Sequence, residues 1–135
     1  MNPLPHRGKG AIAALLLIAA IPGEAAADPL PSEIGQCSRT TIGWIGTRLT
    51  DGQTGGPIAN SGSAVKFANG GYQMSYEAVP QIGASRVGDP VTICLISVPR
   101  HCPAGDNRGR EYQTINLRTH QSWQLPDSQH SCGGA

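Results

Sequence analysis

Beyond residue 27 this chain is broken up by glycine and proline too often to hold a long helix. Fifteen of its eighteen glycines and eight of its eleven prolines fall there, about one residue in five. Each interior glycine costs a helix about 1 kcal/mol and each proline about 3 kcal/mol. No window of a dozen residues carries apolar side chains at i, i+3, i+4 and i+7. The patterns that remain have period two or are short apolar runs, so the expectation is an all-β domain. About six short antiparallel strands would form a small barrel or sandwich.

The strands can be placed one by one. Asp28 to Gln36 reads as an extended lead-in arm. Arg39 to Leu49 (RTTIGWIGTRL) reads as a strand that bends, or lies against another backbone, at Gly43 and Gly46. Thr50 to Pro57 is a glycine-rich loop, and Ser63 to Ala68 a short strand. Asn69-Gly70 predicts a two-residue hairpin turn with positive φ at both positions. In the next strand, Gly71 to Val79 (GYQMSYEAV), Tyr72, Met74, Tyr76 and Ala78 alternate with Gln73, Ser75 and Glu77. The first set is expected to be buried and the second wet. Gln81 to Pro90 is a connection. The apolar run Val91 to Val98 (VTICLISV) predicts a central strand buried on both faces. Pro99 to Arg110 is an irregular loop, and strands Glu111 to Leu117 and Ser122 to Leu125 close the domain around a turn at Arg118 to Gln121.

The first 27 residues have a different character. MNPLPHRGK carries two cations and no acid, and Gly10 to Ile21 (GAIAALLLIAAI) is a run of twelve apolar or small residues. Pro22-Gly23 follows, and then the small residues Ala25-Ala26-Ala27. This is the three-part pattern of a cleaved export signal. The expected division is a signal peptide over residues 1–27 and a single small domain over 28–135, with the cut after Ala27 or, alternatively, after Ala25. The apolar run spans about 18 Å as a helix, short of the roughly 30 Å hydrocarbon core, so an uncleaved anchor is disfavoured. The expected location is periplasmic or secreted.

Charge then narrows the function. With Arg7, Lys9 and Glu24 removed, eight basic and eight acidic residues remain. A nucleic-acid binder would show a basic surplus, and a polybasic membrane-surface protein the same. Neither partner is expected, nor is a membrane span after signal cleavage.

Cys37, Cys94, Cys102 and Cys132 in a short exported chain read as disulfides. Loop-closure entropy gives about 7 to 8 kcal/mol in total for each of the three pairings, so it does not choose among them. Geometry favours Cys37 with Cys94 and Cys102 with Cys132. A Cys94–Cys102 bridge would need a reversal inside seven residues that include Pro99. The alternative is a zinc site made from His101, Cys102, His130 and Cys132, but the spacing is not a ligand pattern and an oxidising compartment removes the thiolates zinc needs. No metal and no cofactor is expected.

Catalytic patterns are sparse. His120, Ser122 and Asp127 lie close in sequence, as do His130 and Ser131, but no G-x-S-x-G elbow or helix N-terminus accompanies them. No catalytic residue is assigned, and an enzyme is the less favoured reading. The most distinctive segment is Pro99 to Arg110 (PRHCPAGDNRGR), where Arg100, His101, Arg108 and Arg110 face a single acid, Asp106. Stapled at Cys102, it is expected to present guanidinium groups to carboxylates on an extracytoplasmic protein or an envelope polymer. In size and general build the mature chain is similar to bacterial periplasmic lysozyme inhibitors, although no motif of that family maps onto it. The expectation is a non-enzymatic exported binding module, with inhibition of a secreted hydrolase as one form of it. The alternative is a small secreted hydrolase using the His/Ser/Asp cluster near the C-terminus.

Overall fold

The computed structural model describes residues 2–4 and 26–134. The signal peptide expected over 1–27 therefore lies outside the described residues, apart from positions 2–4, 26 and 27. Six strands form the domain: β1 (Cys37–Thr47), β2 (Ser63–Phe67), β3 (Tyr72–Ser75), β4 (Pro90–Ser97), β5 (Glu111–Asn116) and β6 (Ser122–Pro126). A single-turn helix, α1 (Pro80–Gly83), sits between β3 and β4. All strands are antiparallel and belong to one sheet of order β3-β2-β1-β4-β5-β6, curled into a half-barrel that brings β3 near β6. Among the described residues no helix is long and apolar enough to cross a membrane.

β1 does the bending. Cys37 to Thr41 pairs with β4, and Ile42 to Thr47 pairs with β2. The register slips between Ile42 and Trp44, so Gly43 is the extra residue of a bulge. The bulge resets the alternation, and both Ile42 and Ile45 reach the core. Gly46 lies under the indole of Trp44, where a Cβ would collide with the ring. The lead-in arm runs along the edge of β1 that β2 leaves uncovered, and Leu30 packs on the core.

The core gathers Ile42, Val65, Phe67, Val91, Ile93, Leu95, Tyr112 and Trp123 from the inner face, and Ile82 of α1 joins them. The segment read as a plain connection therefore contributes a core side chain through a helical turn begun by Pro80. Two disulfides, Cys37–Cys94 and Cys102–Cys132, leave no free cysteine. This is the pairing favoured by sequence geometry. Cys37 and Cys94 sit directly opposite each other on neighbouring strands, with Cα atoms 4.0 Å apart.

Three local expectations are corrected. The hairpin turns at Asn69-Gly70, but only Gly70 has positive φ (86°). Phe67 and Gly70 close the turn by a 3.0 Å bond, and Gly71 then accepts from the Phe67 amide. This is a turn followed by a left-handed glycine rather than the two-residue type. Second, β4 is central but buried on one face only. Val91, Ile93 and Leu95 point inward, while Thr92, Cys94 and Ile96 are half-buried, because among the described residues no second layer covers the outside of the sheet.

The third correction concerns β3. Tyr76 was expected inside and Gln73 outside, yet Tyr76 is 56% exposed and Gln73 is 0% exposed. The strand ends at Ser75, and the curl turns the Gln73 side of β3 toward β5 and β6. Gln73 Nε2 donates to the carbonyls of Tyr112 (2.6 Å) and Leu125 (3.1 Å). Its Oε1 accepts from Thr114 Oγ1 (2.6 Å) and Trp123 Nε1 (2.8 Å). Every donor and acceptor of the amide is used, so its burial carries no unmet polar group. Gln73 thus spans the open side of the half-barrel.

A second buried polar cluster anchors α1. The Asp89 carboxylate receives Arg118 Nε (2.6 Å) and Nη2 (2.9 Å), together with Asn116 Nδ2 (2.8 Å) and the Arg86 amide (2.9 Å). Asn116 also donates to Ser85 Oγ at 2.9 Å. The Arg118 guanidinium is the main cause holding the Asp89 carboxyl far below the usual carboxylate range.

Candidate functional site

The loop between β4 and β5 and the tail after β6 are irregular, yet each is fixed at many points. The Cys102–Cys132 bridge joins them, with Cα atoms 5.2 Å apart. Backbone bonds add Cys132 N to Arg108 O (2.9 Å) and Asp127 N to Arg110 O (2.9 Å). Asp127 Oδ1 accepts the Gly109 amide at 2.8 Å. Gly109 has φ 96°, and a Cβ there would press on Ser131, so the approach of tail to loop depends on glycine.

Asp106 is the organising acid. Its Oδ1 receives Arg108 Nε (3.0 Å) and the Arg108 amide (3.2 Å). Its Oδ2 receives Arg108 Nη2 (2.9 Å) and the Gly133 amide (3.0 Å). The Arg108 fork is the leading cause that keeps Asp106 ionised well below the ordinary carboxylate range. The same pairing raises the Arg108 guanidinium. Arg108 Nη2 also reaches Gly134 O at 3.3 Å. Beside this fork lies an open, shallow cleft of about 610 Å³, lined by residues 104–108 together with Asp127 and Ser128.

The far side of the tail is held by Arg48, which the sequence did not mark, and by Tyr76, which alternation places in the core. Arg48 Nη1 donates to Gln129 Oε1 (2.7 Å), and the Tyr76 hydroxyl donates to Gln129 O (2.9 Å). The Arg48 guanidinium stacks 4.4 Å above the Tyr76 ring. These partners are 81 and 53 residues from Gln129 in sequence, so no local pattern marks them.

The expected binding residues Arg100, His101, Asp106, Arg108 and Arg110 all lie on or beside this platform, but not as a cationic surface. Arg108 is neutralised by Asp106. Arg110 is half-buried, its Nε is enclosed without a hydrogen-bond partner, and its charge acts on Tyr112, as does that of Asp127. Burial is the main cause pushing the Tyr112 phenol upward. Arg100 and His101 are exposed, and among the described residues neither forms an ion pair. His101 is held at φ 58° beside the bridged Cys102. The surface is therefore a mixed polar one with a single uncommitted guanidinium at its margin. The lone acid of the sequence reading acts as the internal clamp, because it reaches four donors at once.

The alternative catalytic cluster is not assembled. His120 and His130 are exposed, and among the described residues neither ring hydrogen-bonds to Ser122, Asp127 or Ser131. Ser128 Oγ donates instead to the His130 carbonyl at 2.7 Å. The sulfurs considered for zinc are bridged to each other. Among the described residues no group of three His, Cys, Asp or Glu side chains is placed to hold a metal ion.

Compared with known proteins, the chain matches no family model, no curated protein and no solved structure.

Proposed function

We propose that the protein is a non-enzymatic exported binding module, and that its recognition surface is the loop–tail platform around Asp106 and Arg108. One observation carries the reading. The longest irregular stretch between strands β4 and β6 is tied down by a disulfide, an Asp–Arg fork and backbone bonds to the tail, while its outer side stays exposed. A surface ordered before contact loses little entropy on binding, which is what a recognition loop on a rigid scaffold provides. Export is supported by the signal-like N-terminal sequence and by two disulfides in a small domain. The partner class is an extracytoplasmic protein or an envelope polymer, and a secreted hydrolase held in an inhibited complex is the narrower form.

The geometry also sets the test. Removing Arg108 or Arg110 would disturb the loop itself, so the informative variant is Arg100→Ala with Asn107→Ala, two exposed side chains that hold nothing else in place. Native protein is immobilised and exposed to an extracytoplasmic extract of its own cell, alongside the variant. The expected result is a retained component that the variant no longer retains, with an unchanged unfolding midpoint. Equal retention by both proteins, or no retention by either, contradicts the assignment.

A further inference from the structure

Within the described stretch 26–134, Ala26 and Ala27 are exposed, whereas Asp28, also on the surface, makes three hydrogen bonds through three different groups. Its backbone nitrogen donates to Arg39 O (2.9 Å), its Oδ2 accepts from the Arg39 amide (3.0 Å), and its carbonyl accepts from Asn69 Nδ2 (3.1 Å). The next residues continue the seam. Ser38 Oγ donates to Pro29 O, Leu30 packs on the core, and Pro31 is fully buried. Together these contacts cap the edge of β1 over its first half, where β2 does not reach. An uncapped edge would offer its amides and carbonyls to another chain.

We infer that an export endopeptidase cuts the bond between Ala27 and Asp28, and that the amino group freed there docks on the Arg39 carbonyl as the last element of the sheet edge. In the cut, water adds across the amide. The bond from the Ala27 carbonyl carbon to the Asp28 nitrogen breaks, the oxygen of water stays on Ala27 as a carboxylate, and Asp28 keeps its nitrogen as an ammonium. That ammonium retains the N–H already aimed at Arg39 O and makes it a charge-assisted donor. A cut after Ala25 would leave two exposed alanines ahead of this seam, and a cut beyond Asp28 would remove all three of its bonds. Asp28 is therefore both the first residue after the small-residue run and, within the described stretch 26–134, the first to bond to the sheet. The inference rests on the export reading and narrows it to a single bond with a structural consequence.

The test uses the full chain, produced in a host with an export pathway and weighed intact. A product beginning at Asp28 is expected. A product beginning at Ala26 overturns the inference and leaves export standing, whereas an unprocessed chain overturns export as well. The docking half is read from hydrogen exchange of the Arg39 amide in the exported protein. Asp28→Ala is expected to speed that exchange about tenfold, the change that follows when one hydrogen bond of ordinary strength is lost. Asp28→Asn, which keeps a side-chain oxygen, is expected to speed it less. Equal exchange in the native protein and both variants overturns the docking.

Discussion

The molecule contains two guanidinium–carboxylate forks of nearly the same geometry and opposite setting. Arg118 and Asp89 meet at 2.6 Å beside α1, with 38% of the Arg118 side chain but only 6% of the Asp89 side chain exposed. Arg108 and Asp106 meet at 2.9 Å in the loop, with 49% and 20% of their side chains exposed. Both aspartates also accept backbone amides. The difference is what surrounds them. Around Asp89 the further side-chain partner is the buried Asn116, itself bonded to buried Ser85, so the fork closes the end of a core. Around Asp106 the partners are backbone groups of a loop and a tail, so the fork shapes a surface. The same chemistry holds the fold together in one place and presents part of it in the other.

Breaking the buried fork has the largest expected effect. Asp89→Ala leaves the buried Asn116 amide short of an acceptor and Arg118, whose side chain is 38% exposed, without its carboxylate, and chemical denaturation should show a loss of about 2 to 3 kcal/mol. A loss within error of zero would mean that the cluster is solvated in solution. Next comes the staple. Cys102→Ser with Cys132→Ser removes a cross-link spanning 30 residues, worth at most about 3 to 4 kcal/mol by chain entropy. The loss should fall below that ceiling, because without the bridge the loop and tail also loosen in the native state; a loss at the full ceiling would mean that Arg48, Tyr76 and Asp127 hold the tail rigid by themselves.

Acid offers a third contrast. A carboxyl whose folded pKa is depressed contributes stability that is complete above the unfolded value of about 3.9 and is lost as pH falls from there toward the folded value. Stability of the native protein should therefore decline below about pH 4, and urea midpoints taken down to pH 2 should show a flatter decline in Asp89→Asn. An equally steep decline in that variant would assign the acid sensitivity elsewhere. The smallest effect is expected from Asp106→Asn. It should leave the unfolding midpoint nearly unchanged while the amides of Gly133 and Arg108 exchange faster, and a midpoint loss as large as that of Asp89→Ala would erase the distinction between the forks.

The contrast also marks where sequence reading works. The six strands, the hairpin at Asn69-Gly70 and the glycines that bend β1 are short-range matters of alternation and turn chemistry, and they were legible. The disulfide pairing was legible in part: Cys94 lies inside a strand and cannot turn back to Cys102, which removes one of the three pairings, whereas the choice between the other two depends on β1 and β4 being neighbours. Gln73 was not legible. Alternation along β3 places it correctly opposite Met74, but both side chains are fully buried, because the curl of the sheet brings β5 and β6 over the Gln73 side, and its partners lie 39 to 52 residues away. The Asp89–Arg118 pair, 29 residues apart, was hidden for the same reason. In the loop chosen as candidate site, composition carried no sign of which charges pair. Counting residues showed a cationic loop, whereas Arg108 is paired with Asp106 and Arg110 is half-buried, which leaves Arg100 as the loop's exposed arginine without an ion-pair partner among the described residues.

The central claim is that loop and tail form one surface already ordered without a partner. Backbone amide order parameters in solution test this most directly. Residues 99–110 and 126–134 should match the strands, near 0.85, because the bridge, the fork and the Gln129 anchor restrain them together. Values below about 0.6 through those segments would contradict a preformed surface and, with it, the reason for placing recognition there.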